Sequence, residues 1–334
     1  MLPEPLKTVL AGVGTLMALR LLFSAYHFVT FHFFRPSIGD QLTKYKRADG
    51  VAYALISGSS AGIGLGIARA LVQNGFGVIL LGHLEDELTD AAKTLVAECP
   101  AAAAGRVRTI VLNCQTASPE EISTAVKSVS SLPISILVNN VGSATCAAPP
   151  SLRPLATLSA AEIDAFVNLN ARFMARLTNK MLPLLTASAD VQKQERSLVL
   201  NLSSVGRHGL PWIVMYGATK AFDYAFSLGL ASELEADPAT AHIDCLAVVP
   251  GEVRSQSNAG ATFAAPTADD FGRMVVASVD GAVRRGWREI RPDWRHELMA
   301  AMTERVLPLS LATKFVRDEM RVKKETVEAA AKKR

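Results

Sequence analysis

Apolar runs alternate with helix-like patterns through the middle of the chain. Six runs rich in Val, Ile and Leu have the length of buried strands, at 51–57, 77–82, 108–113, 134–140, 197–203 and 242–249. Segments with helical spacing follow most of them, at 62–74, 85–99, from about 119, 160–185 and 211–235. Continuous apolar strands separated by helices predict an α/β fold. We expect a single domain built on a doubly wound parallel sheet, with its ligand crevice at the carboxyl ends of the strands.

Another apolar block precedes this pattern, at residues 8–34. As a helix it is long enough to cross a hydrocarbon core of about 30 Å. Arg20 interrupts the block at a cost of about 2.5–3.5 kcal/mol. Thirteen Leu, Val and Phe side chains favour insertion by roughly 4–8 kcal/mol in sum, which is larger. We therefore predict a transmembrane helix, with a helix lying in the membrane interface as the alternative.

A cleavable signal peptide would also begin with an apolar segment. The run here is longer than the apolar region of such a peptide, and no small-x-small cleavage site follows it. An uncleaved anchor over residues 1–34 is therefore favoured. Four basic residues lie within 35–47, whereas only Lys7 and the amino terminus precede the segment. The positive-inside tendency then places the large domain in the cytosol.

The remaining chain divides by composition. Residues 35–50 are polar and turn-rich and form a predicted linker, 51–290 form the large domain, and 291–334 form a helical extension with a basic tail. The net charge of +4 comes without a basic stripe interleaved with aromatics, which argues against a nucleic-acid partner. The four cysteines show no metal-ligand spacing, so we expect reduced thiols and no metal site.

The first predicted strand ends in a glycine-rich turn that leads into a helix, Gly58-x-x-x-Gly62-x-Gly64. Glycines at such a place let backbone N–H groups approach a pyrophosphate at a helix amino end. Ser60 and Ile63 lie within the same turn. This position makes the predicted sheet Rossmann-type, and we expect these residues to bind a dinucleotide. A turn with only a structural role is the alternative.

The end of the second strand bears on the choice of dinucleotide. NAD-specific sites carry Asp or Glu there to bind the ribose 2′-hydroxyl. This chain has Gly82 and His83, which leave room for a 2′-phosphate and favour NADP(H) over NAD(H). His83 as an ordinary solvated loop residue is the competing interpretation.

Tyr216 and Lys220 share one face of a predicted helix at i,i+4 spacing. A phenol, with a pKa near 10, is a poor acid–base at neutral pH, but an ammonium nearby favours the phenolate. Such a pair can donate a proton to a carbonyl oxygen, and the lysine can also hold a nicotinamide ribose. The spacing is common by chance, so the inference depends on the neighbouring motifs.

The neighbouring motifs consist of polar residues at the ends of two other strands and one polar residue inside a helix. Ser203 and Ser204 close the fifth strand, where a hydroxyl can stabilise negative charge on a substrate oxygen. Asn170 lies inside a predicted helix, where Asn is unfavourable; either a functional side chain or a bend explains it. Asn139 and Asn140 end the fourth strand.

Five motifs in this order resemble the classical short-chain dehydrogenase/reductase family. They are the TGxxxGxG turn, with Ser57 in place of Thr, then NNVG at 139–142, Asn170, the serine pair and YxxxK. The resemblance covers about residues 51–260. It implies an oxidoreductase that acts on C=O or CH–OH groups with a nicotinamide dinucleotide.

The resemblance implies a role for each catalytic candidate. Tyr216 is the proton donor, Lys220 clamps the nicotinamide ribose, and Asn170 holds a proton-relay water. The family's usual spacing to the tyrosine selects Ser203, whereas the local motif S-V-x-G selects Ser204 and shortens the intervening loop by one residue. We expect Ser204 to be the catalytic serine.

The resemblance also extends the set of cofactor contacts. His83 stands where NADP-dependent members carry Arg, and Asn113 replaces an Asp that contacts adenine. Asn140 belongs to the NNVG motif that borders the cofactor. Val253 and Ser255 lie in a segment similar to the family's PGxVxT, which contacts the carboxamide.

Three stretches narrow the resemblance: the apolar N-terminal segment, KYKRADGVAYALISGSSAGIG at 44–64 and LPISILVNNVG at 132–142. They are similar to the microsomal very-long-chain 3-oxoacyl-CoA reductase and 17β-hydroxysteroid dehydrogenase group. This implies reduction of a long-chain 3-oxoacyl-CoA in fatty-acid elongation, at the endoplasmic reticulum membrane. The alternatives are a steroid, retinoid or specialised-metabolite carbonyl reductase and, from another class, a non-catalytic membrane scaffold. Oligomeric state is left open, with a homodimer as one candidate.

Overall fold

The computed structural model describes residues 3–146, 152–258 and 261–331. The strands in these ranges are β1 (Tyr53–Ser57), β2 (Gly77–Gly82), β3 (Val107–Val111), β4 (Ile134–Asn139), β5 (Ser197–Leu202), β6 (Ile243–Val248) and β7 (Glu289–Ile290). They form one parallel sheet in the order β3-β2-β1-β4-β5-β6-β7. The predicted doubly wound α/β fold is confirmed.

Helices cover both faces of this sheet. The helices in the described ranges are α1 (Glu4–Phe33), α2 (Gly62–Gln73), α3 (Glu85–Glu98), α4 (Pro100–Ala103), α5 (Pro119–Ser128), α6 (Ala160–Phe166), α7 (Phe173–Ala187), α8 (Val214–Ala236), α9 (Ala268–Arg284), α10 (Trp294–Ala301) and α11 (Leu309–Ala331), and α1 extends away from the sheet. Every residue of β1, β2, β4 and β5 is buried, because helices pack on each side of these strands. This double burial is the reason that the strands appear in the sequence as continuous apolar runs.

Two expectations about the secondary-structure elements are wrong. The run at 242–249 is not the last strand, because β7 pairs with β6 outside it, and a two-residue strand carries no periodic signal. The helix expected over 160–185 is also not continuous. A π-helical turn, Val167–Arg172, separates α6 from α7. This turn contains Asn170 and inserts an extra residue into the helical ladder.

Chain reversal places the candidate site. The chain adds β2 and β3 on one side of β1 and then returns to add β4 on the other. Loops that follow β1 and β4 therefore diverge at the carboxyl edge of the sheet, which opens a crevice between them. The predicted phosphate turn and the NNVG motif both lie at this edge.

The predicted N-terminal helix is α1. It is long and apolar enough to cross a membrane, and its most apolar 18-residue window is not buried against the rest of the protein. Its last turns are different. Phe31 is buried, its ring 4.8 Å from that of Trp287, and Arg285 donates to Thr30 Oγ1 over 2.9 Å. The end of a candidate membrane span is thus fixed directly to the domain.

The segment 35–50, predicted as a linker from its polar composition, packs against the sheet. Leu42 and Tyr45 are fully buried. Tyr45 Oη donates to Asp244 Oδ2 over 2.7 Å, and Arg47 donates to the carbonyl of Arg196 over 3.0 Å. Hydrogen bonds of this kind let polar residues be buried, which composition alone does not reveal. Of the helical extension and basic tail predicted over 291–334, only the last three residues lie outside the described ones.

We expect Tyr45→Ala to lower the free energy of unfolding by about 3–5 kcal/mol, because it removes a fully buried aromatic ring. Tyr45→Phe keeps the ring and should cost only about 1 kcal/mol, the net value of one hydrogen bond. The exposed neighbour provides a control: Lys44→Ala should stay within about 0.5 kcal/mol of wild type. Denaturant unfolding measures all three. A wild-type value for Tyr45→Ala would mean that the segment does not pack on the domain in solution.

Candidate active site

The turn after β1 is folded tightly on itself. Gly58 and Gly62 have φ values of +64° and +59°, a region that favours glycine. A Cβ atom at Gly64 would lie 2.2 Å from the carbonyl oxygen of Gly58, so this close approach also requires glycine. Ile63 is half-buried and packs against the core. Three of the predicted residues are therefore needed for the shape of the turn itself.

The outer side of the turn can accept a dinucleotide. At Gly62, the first residue of α2, a Cβ atom would have only Ser255 Cβ within 4 Å among the described residues, at 3.6 Å. The amino end of α2 is thus open toward Ser255, and its backbone N–H groups can receive phosphate oxygens. The predicted phosphate turn and the predicted carboxamide segment, which contains the buried Val253, meet here.

Asn140 shapes the turn from behind. Its Nδ2 donates to the carbonyl oxygens of Ser57 (3.0 Å) and Gly58 (2.8 Å). Ser57 Oγ accepts from the backbone N–H groups of Asn140 (3.1 Å) and Val141 (3.2 Å). The Asn140 amide thus fixes the loop that would carry the cofactor. Because only the hydroxyl of Ser57 is used, serine can stand where the family has threonine.

Three polar residues that we predict to contact the cofactor lie in the loops after β1, β2 and β3. His83 is exposed directly after β2. Asn113 is exposed after β3, and its Oδ1 accepts from Gln115 N over 3.0 Å. Ser60 Oγ donates to Glu87 Oε2 over 3.0 Å, which places a carboxylate beside the phosphate turn. Cofactor roles for these residues remain predictions.

Lys220 is buried where β5 ends beside α8. Its Nζ donates to the carbonyl of Leu202 over 2.7 Å and to Asp223 Oδ2 over 2.9 Å. Burial alone lowers the pKa of Lys220, but the Asp223 carboxylate and the Tyr216 phenol more than offset this effect, so the pKa is raised above its ordinary value. A Cβ atom at Gly142 would lie 2.9 Å from Nζ. Lys220 thus stays charged and lies against the loop after β4.

Tyr216 and Ser204 converge on one point. Tyr216 is half-buried, one turn before Lys220 on α8. A Cβ atom at Gly206 would lie 3.3 Å from Tyr216 Cε1 and 3.4 Å from Ser204 Oγ. The phenol ring and the hydroxyl therefore flank the same glycine.

Ser203 and Ser204 have different environments. Ser203 Oγ donates to the carbonyl of Lys220 over 2.6 Å and is buried. Ser204 Oγ accepts from Gly206 N over 3.0 Å and, among the described residues, donates to no protein acceptor. A hydroxyl with its proton still available can bind a carbonyl oxygen. The geometry thus favours Ser204 as the catalytic serine.

Asn170 connects three elements from within the π-helical turn. Its Oδ1 accepts from Ser143 N over 2.8 Å, and its Nδ2 donates to Ser143 O (3.1 Å) and Thr219 Oγ1 (3.0 Å). The side chain therefore ties the loop after β4 to α8, beside Lys220. The helix is irregular here, as the bend explanation expects, and a functional role for the Asn170 amide stays a prediction.

The C-terminal extension supports the segment after β6. His296 on α10 accepts from Gly251 N over 3.1 Å, and its Nε2 lies 3.0 Å from Glu252 O. Burial lowers the pKa of His296, which favours the neutral ring that these contacts require. A Cβ atom at Gly251 would lie 2.5 Å from the imidazole, so the contact needs glycine.

Sequence reasoning missed three residues at this site. Asp223 looks like an ordinary acid on a helix, although its position three residues after Lys220 places it on the same face. Glu87 lies one turn into α3 and belongs to no motif. His296 is remote in sequence, and no local signal could connect it to Gly251.

Comparison with known proteins agrees with this geometry. The family model for short chain dehydrogenases matches residues 52–264. The chain belongs to the short-chain dehydrogenase family. It is therefore an oxidoreductase, and its relatives include very-long-chain 3-oxoacyl-CoA reductases from Kluyveromyces lactis and Eremothecium gossypii.

The relative from Kluyveromyces lactis is 29% identical over 266 residues, which cover 78% of this chain and 72% of the relative. The one from Eremothecium gossypii is 31% identical over 261 residues, which cover 76% and 70%. Among solved structures, a short-chain dehydrogenase from Sphingobium yanoikuyae in complex with NADPH has a TM-score of 0.59 at 22% identity. That likeness covers 75% of this chain and 93% of the other, and it shows the fold.

The two serines can be separated by mutation. We expect Ser204→Ala to lower kcat for carbonyl reduction by about 10²–10³, the usual effect of removing one donor to a substrate oxygen. Ser203→Ala should instead reduce thermal stability and change kcat by less than about tenfold, because its hydroxyl is used inside the fold. Steady-state kinetics and thermal unfolding on both variants measure this. The reverse pattern would assign catalysis to Ser203.

Proposed function

We propose that this short-chain dehydrogenase uses NADPH to reduce the 3-oxo group of a long-chain acyl-CoA, as a step of fatty-acid elongation. The observation that carries the proposal is its similarity, along most of its length, to very-long-chain 3-oxoacyl-CoA reductases. The convergence of Ser204, Tyr216 and Lys220 beside the open end of α2 supports the same reaction.

The chain's own residues divide the work of reducing a ketone. Bound NADPH would supply the hydride. Ser204 would hydrogen-bond the carbonyl oxygen and stabilise the negative charge that develops on it. Tyr216 would then donate its phenolic proton to that oxygen. The charged Lys220, one helical turn away, would stabilise the phenolate left on Tyr216 and hold the nicotinamide ribose.

An apolar groove beside the site supports a long acyl substrate. The groove has a volume of about 500 Å³, and Leu210, Pro211, Val214 and Ala218 line it together with the polar Arg207–His208 turn. It borders Gly217, the residue after the proposed proton donor. An apolar groove along the helix that carries Tyr216 would suit a lipid-like substrate.

We further propose that α1 anchors the enzyme in the endoplasmic reticulum membrane, with the catalytic domain in the cytosol. The basic residues after α1 favour this orientation. The contact between Phe31 and Trp287 would hold the domain close to the bilayer, where acyl chains are concentrated. A short distance between membrane and site suits a substrate of low solubility.

The proposed preference for NADP(H) depends on the residues where β2 ends. The strand ends at Gly82 and is followed by the exposed His83, whereas NAD-specific sites carry an acid there. We expect His83→Ala to raise the KM for NADPH about 3- to 10-fold and to leave the KM for NADH unchanged, because it removes a donor to the 2′-phosphate. Parallel titrations with both cofactors measure the ratio. If the two KM values change together, His83 does not contact the 2′-phosphate of NADPH.

The proposed activity is tested with the purified full chain in detergent. We expect NADPH oxidation with long-chain 3-oxoacyl-CoA, and a loss of about 10²-fold or more in kcat for Tyr216→Phe, which removes the donated proton but keeps the ring. Steroid and retinoid ketones serve as comparison substrates. Turnover of those ketones without turnover of 3-oxoacyl-CoA would refute the substrate. Full activity of Tyr216→Phe would instead favour a scaffold whose tyrosine has no catalytic role.

A further inference from the structure

Asp223 is a buried acid whose role no motif explains. Its side chain is 1% exposed, and it lies on α8 one turn after Lys220. Oδ2 accepts from Lys220 Nζ over 2.9 Å, while Oδ1 is buried without a hydrogen-bond partner among the described residues. A buried carboxylate with one unpaired oxygen is costly. Lys220 is the cation that compensates its charge.

The position of Lys220 depends on this carboxylate. An ammonium has three N–H donors, and Lys220 uses one on the Leu202 carbonyl and one on Asp223. Gly142 lies close to the ammonium, since a Cβ atom there would lie 2.9 Å from Nζ and 3.3 Å from Asn170 Oδ1. The two protein acceptors thus leave one donor for the loop that borders the site.

We propose that Asp223 is a positioning residue, which holds the ammonium of Lys220 in place so that one N–H donor is left for the cofactor side. This role rests on the proposed function of Lys220 as the ribose clamp. Asp223 itself is separated from the reacting atoms by Lys220 and acts through it.

Two other titratable groups face Lys220. Tyr216 lies on the same helix, and Cys146 lies in the loop after β4. Burial raises the pKa of the Cys146 thiol to about 11, so this thiol is neutral at physiological pH and gives Lys220 no counter-charge. Asp223 is therefore the carboxylate that stabilises the charged lysine. Without it, burial favours loss of the Lys220 proton.

The direction of the pH effect follows from this balance. With Asp223 present, Lys220 remains protonated well into the alkaline range. In Asp223→Asn the opposite charge is lost and burial remains, so Lys220 loses its proton at a lower pH. We expect the alkaline limb of the pH profile to move down by about 1–3 pH units, the usual influence of an opposite charge at this distance. At pH 6–7 the variant should stay within about tenfold of wild type.

Two readouts in the full-length protein test the proposal. The first is kcat/KM for ketone reduction against pH, and the second is NADPH affinity against pH, followed by the fluorescence of the bound nucleotide. The affinity needs no substrate. If no ketone is reduced, the proposed function fails while the nucleotide titration still reports on Asp223.

Matched variants separate positioning from stability. Asp244→Asn removes another carboxylate that pairs with a cation, Arg196, and should lower stability without moving either pH profile. The Lys220→Arg variant serves as a second background. Adding Asp223→Asn to it should leave the alkaline limb of NADPH affinity where it is in Lys220→Arg alone, because a guanidinium stays charged without a partner. If Asp223→Asn does not fold, Asp223→Ser carries the same expectation. A pH profile of the folded Asp223 variant that superimposes on wild type would overturn the proposal.

Discussion

The candidate site depends on the hydrogen bonds that hold the buried ammonium of Lys220. An unpaired charge in a protein interior costs several kcal/mol, so the fold must provide partners where β5 ends beside α8. The Leu202 carbonyl and Asp223 are those partners. The contact with Leu202 joins β5 to α8, and the contact with Asp223 holds the ammonium from within α8. Stability and catalytic geometry are therefore set by one arrangement.

The parallel sheet brings the other groups to this ammonium. Loops that follow β1, β4, β5 and β6 all leave the same edge, and three of them are held by a side chain from elsewhere in the fold. Asn140 fixes the phosphate turn, Asn170 fixes the loop after β4, and His296 fixes the segment after β6. Asn170 and His296 are buried and Asn140 is half-buried, so packing and hydrogen bonds within the protein hold these loops.

Much of this could be predicted from local sequence patterns. Strands buried on both faces give continuous apolar runs, and the Gly58–Gly64 turn, Tyr216 and Lys220 follow fixed spacings. What could not be predicted depends on three-dimensional contacts. Ser203 and Ser204 are adjacent and chemically identical, and only their contacts distinguish them: Ser203 donates to Lys220 O, whereas Ser204 accepts from Gly206 N. Tyr45 lies in a polar segment that looks solvated, and its burial is explained only by Asp244, which is remote in sequence.

The central claim is that Tyr216 and Lys220 serve a hydride transfer to the 3-oxo carbon of an acyl-CoA. Reduction of 3-oxoacyl-CoA with NADPH deuterated at nicotinamide C4, on each face in turn, tests this claim most directly. We expect the label from one face to appear in the 3-hydroxyacyl product, bound to C3. A product that carries no deuterium at C3 from either face would contradict it.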